Sequence, residues 1–175
     1  MRNLKFKNDL PEKADYSMST YFIKAGDKYG FNPELLVILA HVRSYCNPWY
    51  FEFSQSYRDA FLANTKARAR LQGHTPDEKN VDMQTEKNLR ATKLGLYAIL
   101  GQKARIWGYG KDNLAHLLSC EESIDFVASL IGARIADGMD TFTACCLFNT
   151  DKDYFLKRKI RQYLDTNISK YYLKY

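Results

Sequence analysis

Apolar residues recur along most of this chain with the 3.6-residue period of a helix, and that period limits the folds open to it. Met18, Tyr21, Phe22, Ala25 and Tyr29 fall on one face of a first helix, which Gly30 ends. Asn32 is placed to cap a second helix with Pro33 at its first position, and Leu35, Leu36, Leu39 and Val42 form its buried stripe. That helix must stop before Asn47-Pro48, because the residue ahead of a proline is pushed out of the α region. Tyr57, Phe61 and Leu71 carry a third apolar pattern, and residues 73–81 read as a polar loop. Ser119 and Glu122 have capping-box spacing ahead of Ile124, Val127, Leu130, Ile131 and Ile135, the most hydrophobic helix, which Gly138 ends. A short helix around residues 142–148 follows, then a terminal helix carrying Ile160, Tyr163, Leu164, Ile168 and Tyr171. No internal repeat or long strand interrupts this order. The expected fold is all-α or helix-dominated α+β, with any hairpin confined to the middle loop.

A length of 175 residues suits one domain, with residues 1–15 as an N-terminal arm and 151–175 as a C-terminal helix. Hydrophobic residues at 46% and charged residues at 26% argue against disorder and against a fibrous class. The 14% aromatic content suits an aromatic-lined groove or a docking surface, and equally an ordinary aromatic core. Lys plus Arg less Asp plus Glu is 26 − 20 = +6, an excess that favours anionic partners without selecting one. Basic clusters at Lys66, Arg68, Arg70 and at Lys157, Arg158, Lys159, Arg161 read as solvated helix faces. Nucleic-acid binding is a disfavoured alternative that rests only on this charge and on Tyr interleaved with Lys in the last six residues, from Lys170 to Tyr175.

The first ten residues lack the apolar run of a secretory signal, and no stretch reaches the eighteen or so apolar residues of a membrane span. Synthesis in a cytoplasm is the expectation. Cys46, Cys120, Cys145 and Cys146 show no metal-ligand spacing, so reduced, mostly buried thiols are expected, with no metal and no cofactor. His41, His74 and His116 have no paired Asp or Cys at motif spacing; His41 reads as a packed helix residue. Ser44 has no base beside it that would make it a nucleophile.

The segment from Tyr29-Gly30-Phe31-Asn32-Pro33 to Arg43-Ser44-Tyr45-Cys46-Asn47-Pro48 resembles the opening of the soluble lytic transglycosylases, where a helix ends in Glu-Ser and Asn-Pro follows. A second block, running from Ala91 through Gly95-Leu96-Tyr97-Ala98-Ile99 and Gly101-Gln102 to Ala104-Arg105, is similar to that family's Gly-Leu-Met-Gln-Ile segment and its Gly-Gln-x-Ala-Arg continuation. A third, Thr143 to Phe148-Asn149, resembles the family's helix ending in Ala-Tyr-Asn. The resemblance spans residues 29–150 and implies a lysozyme-like domain with a glycan groove formed around Ser44, Asn47, Gly95, Leu96, Tyr97, Gln102 and Asn149.

It also implies a defect. The family's catalytic glutamate gives a proton to the glycosidic oxygen and then removes one from the sugar's own hydroxyl. Arg43 stands at that position, and a guanidinium stays cationic and never becomes a base. Ala98 replaces the glutamine and Phe148 the tyrosine that the family presents to the sugar. The expectation is a catalytically inactive relative, a structural or peptidoglycan-binding module working with other protein chains, in keeping with a phage virion component of the tail, baseplate or ejected type. The alternative is an active enzyme with a relocated acid, Glu52 foremost and Glu86 second. Pairing of Glu52 with a nearby cation would make it a poor acid.

Overall fold

The computed structural model of the chain describes residues 16–62, 73, 81–141 and 143–145. Among the described residues, helices surround a small three-stranded sheet in the chain order that follows. Helix α1 spans Tyr16–Tyr29 and α2 spans Glu34–Ser44; strand β1 is Phe51–Phe53, followed by a single helical turn α3, Gln55–Tyr57, that widens into a π-helical turn at Arg58–Leu62. Helix α4 (Met83–Arg90) leads into β2 (Thr92–Leu94), β3 (Ile99–Leu100) and α5 (Gly101–Ile106); a 3₁₀ turn at Leu114–Leu118 precedes the long α6, Cys120–Ala136. The chain is helix-dominated, and no helix among the described residues is long and apolar enough to cross a membrane.

The apolar face expected on α1 packs against α6. Met18, Phe22 and Ala25 are buried with Ile124, Val127, Ala128 and Ile131 in one core, while Tyr21 and Tyr29 are partly buried at its margin. Helix α2 differs from the amphipathic stripe read from sequence. Leu36, Val37, Ile38, Leu39 and Ala40 are consecutive and all buried, so the middle of α2 is covered on every side, whereas Leu35 and Val42 of the expected stripe are only partly buried. At its start Asn32 Oδ1 accepts the Glu34 N–H at 2.9 Å, while Pro33, expected at the first helical position, occupies the cap position ahead of Glu34. The capping box of α6 does not form. Ser119 holds the cap position without a side-chain bond, and Glu122 instead faces Lys111 at 3.4 Å.

The hairpin is not confined to the middle loop, as periodicity implied. β2 and β3 lie inside the second resembling block, paired antiparallel with Leu94 opposite Ile99, and β1 pairs antiparallel with β2, Glu52 opposite Lys93, in the order β1-β2-β3. Strands of two and three residues are too short to print an alternation on the sequence. The residues expected in the terminal helix, those of the loop at 74–80, and His74, Cys146, Phe148 and Asn149 lie outside the described residues; 143–145 are helical, within the short helix expected there.

Candidate functional site

The end of α2 is stitched to the turn between β2 and β3. Arg43 donates from Nε to the Tyr97 carbonyl oxygen at 3.1 Å and from Nη2 to that of Ala98 at 3.0 Å. Next to it, the Ser44 hydroxyl lies 2.5 Å from the Leu96 carbonyl oxygen and accepts the Asn47 N–H at 3.1 Å. Three consecutive carbonyls, those of residues 96, 97 and 98, thus face donors from two consecutive helix residues. Charge-assisted bonds such as those of Arg43 are among the stronger hydrogen bonds in proteins.

Backbone strain gathers at the same place. The non-glycine residues with positive φ among those described are Tyr45 (55°), Cys46 (59°) and Ala98 (44°), the first two just after Arg43-Ser44 and the third on the turn that Arg43 grips. Such conformations cost of order 1–3 kcal/mol each and persist where the surroundings over-determine them. The turn requires glycine at residue 95: at φ +70° a Cβ there would lie 1.8 Å from the Leu117 carbonyl oxygen.

The residues expected to line a groove divide. Arg43, Ser44, Asn47, Gly95, Leu96, Tyr97 and Ala98 do come together, but Leu96 and Tyr97 are fully buried, Tyr97 with its hydroxyl donating to the Leu36 carbonyl oxygen at 3.2 Å. Desolvation drives the Tyr97 phenol far above its ordinary pKa. A tyrosine so held fills the core and presents nothing to a sugar. Gln102 is likewise buried, its Oε1 accepting from Arg90 Nη1 at 3.0 Å. His41 packs edge-on against the Tyr45 ring, with centroids 5.6 Å apart.

Glu52 stands on β1 with its side chain about half exposed, 2.7 Å from Lys93 Nζ, and accepts from the Tyr50 hydroxyl. The Lys93 bond, then the Tyr50 bond, hold its carboxyl below the usual carboxylate range, and the charge of Arg43 adds to this. A carboxyl so kept ionised has no proton to give near neutral pH. Glu86 is the opposite case and no groove residue either: it is buried between two arginines, Oε1 accepting from Arg90 Nε and Arg105 Nε at 2.8 Å each and Oε2 from Arg105 Nη2 at 3.1 Å. Arg105 also donates to the carbonyl oxygens of Tyr109 and Asp112, which ties α4, α5 and the following loop together.

Sequence reasoning missed the exposed aromatic residues that follow Arg43-Ser44 along the chain. Tyr45, Trp49 and Phe51 are 80%, 73% and 61% exposed, and Phe53 follows on the same strand. The run Trp49-Tyr50-Phe51-Glu52-Phe53 after Asn47-Pro48 was the available signal. Ahead of that run the Asn47 Oδ1 accepts the Trp49 N–H at 3.0 Å. As assembled, the site can hold a turn rigid and present aromatic rings; Arg43 supplies no group that both gives and takes a proton. No protein-family model, curated protein or solved structure matches the chain.

Proposed function

We propose that this chain is a degenerate, lysozyme-like module of the lytic transglycosylase type that does not cleave glycan and serves as a structural or peptidoglycan-binding part of a larger assembly, such as a phage virion. The observation that carries the reading is the clamp of Arg43 on the carbonyl oxygens of Tyr97 and Ala98. It brings the first two resembling segments into contact, which supports the reading, and it gives the arginine at the expected acid position a structural task. The burial of Tyr97 and the ionised, lysine-paired state of Glu52 support the same reading, because neither leaves a proton donor beside the turn.

Co-sedimentation of the purified chain with peptidoglycan sacculi tests the binding half, and chromatography of the soluble fraction tests the inactive half. The reading expects no anhydro-muropeptides in that fraction at any incubation time. Their release, lost on Glu52→Gln, would transfer the chemistry to Glu52 and end the proposal.

A further inference from the structure

A cleft of about 390 Å³ opens between α1 and the start of α6, away from the turn that Arg43 grips, and its volume is that of a small-molecule site. Tyr21, Lys24, Ala25 and Lys28 recur along α1 at the spacing of one helix face, so all four line it together. Ala25 and Ile124, both buried, give it an apolar lining beside Tyr21.

The charged groups around this lining balance in number, Lys24, Lys28 and Lys111 against Glu121, Glu122 and Asp125. Four of the six are matched. Lys28 Nζ lies 2.7 Å from Asp125 Oδ1, which also accepts the Tyr29 hydroxyl at 3.1 Å, and Lys111 Nζ lies 3.4 Å from Glu122 Oε1. Lys24 and Glu121 stand four residues ahead of Lys28 and Asp125, one turn back on the same two helices. No ion pair joins them, and neither has a hydrogen-bond partner among the described residues. The cleft thus presents one unmatched cation and one unmatched carboxylate from its two helices.

That combination selects by charge. A purely anionic ligand gains Lys24 and meets Glu121, and a purely cationic one does the reverse. An uncharged apolar ligand takes water from both groups and returns no partner. A ligand carrying one charge of each sign satisfies both. We propose that the cleft between α1 and α6 binds a small zwitterion of the amino-acid class, with its carboxylate on Lys24, its ammonium on Glu121 and an apolar side chain against Ala25, Ile124 and Tyr21.

Nitrogen–proton correlation spectra of the full chain, titrated with leucine, with N-acetyl-leucine, which lacks the ammonium, and with leucine amide, which lacks the carboxylate, test this. Leucine should bind about fivefold more tightly than either derivative, the upper end of one exposed ion pair. Its shifts should gather at residues 21–28 and 121–125. Glu121→Gln should erase the preference over N-acetyl-leucine and keep that over leucine amide, and Lys24→Gln should do the opposite; both side chains are exposed, so neither change disturbs the core. Equal binding of the three probes, no shifts with leucine, or preferences that survive both substitutions would overturn the proposal.

Discussion

Arg43 Nη2 lies 3.0 Å from the carbonyl oxygen of Ala98, a residue whose own backbone is left-handed at φ 44°. The cation and the strained peptide belong together: the guanidinium binds two carbonyl oxygens that the tight turn aims at one point. Removing it should expose the cost of the turn. Arg43→Ala is expected to destabilise the fold by about 2–4 kcal/mol, the loss of two hydrogen bonds to a charged donor in a part-buried setting, measured by urea unfolding. Arg43→Lys should recover less than half of this, since an ammonium lacks the planar fork. A change under about 0.5 kcal/mol for Arg43→Ala would show that the clamp holds nothing.

The turn itself can be probed from both directions. Gly95→Ala drives a methyl into the Leu117 carbonyl oxygen and should cost roughly 4 kcal/mol or more, whereas Ala98→Gly relieves a left-handed alanine and should gain up to about 1 kcal/mol. Thermal melts of the two variants should therefore move in opposite directions. Shifts of the same sign would place the strain elsewhere.

A third expectation concerns the buried ion cluster. Glu86→Gln leaves Arg90 and Arg105 buried without their shared carboxylate, and about 3–5 kcal/mol of stability should go with it. Glu86→Gln melting like the native chain would contradict the geometry of the cluster.

Much of the helical frame was legible because α1 and α6 each bury one face, and a buried face prints its period on the sequence. Helix α2 hid its role: with five consecutive buried residues its pattern reads as a stripe only if the extra apolar positions are ignored. The sheet was invisible because its strands are too short for alternation, and its hydrogen bonding is completed by Tyr50 and Ser54, which lie outside β1. At the site, Arg43 and Ser44 could be placed from the order Arg-Ser, Asn-Pro and the later Gly-Leu. That Tyr97 turns inward could not, because a side chain's direction beside left-handed residues depends on φ values that the sequence does not carry; Gln102 turns inward on α5 to meet Arg90, a contact that tertiary packing sets. Glu86 was readable in part, four residues ahead of Arg90 on one helix; its second partner, Arg105, comes from tertiary packing alone.

The Glu52–Lys93 pair makes a pH-dependent prediction of known sign. The folded-state pKa of Glu52 lies below its unfolded value, so the pair's contribution is fully present above the unfolded pKa and is lost as pH falls through the depressed folded value. Its size is under about 1 kcal/mol because both groups are over two-fifths exposed. The stability difference between the native chain and Lys93→Ala should be constant from pH 6 to 8, on the order of the unfolded pKa plus two units and above, and shrink below pH 4. A difference that instead grows on acidification would reverse the sign and contradict the pairing.

Under the proposed function Arg43 serves structure and not chemistry, and the direct measurement is anhydro-muropeptide release from purified sacculi by the native chain and by Arg43→Glu, side by side. Neither is expected to release any. The native chain has no group at residue 43 that can lose a proton, and the variant sets a carboxylate against the Tyr97 and Ala98 carbonyl oxygens that Arg43 now binds, repelling them and weakening the turn. Release by the native chain would contradict the central claim outright, and full activity in Arg43→Glu would show that the turn had kept a catalytic geometry and that its clamp was incidental.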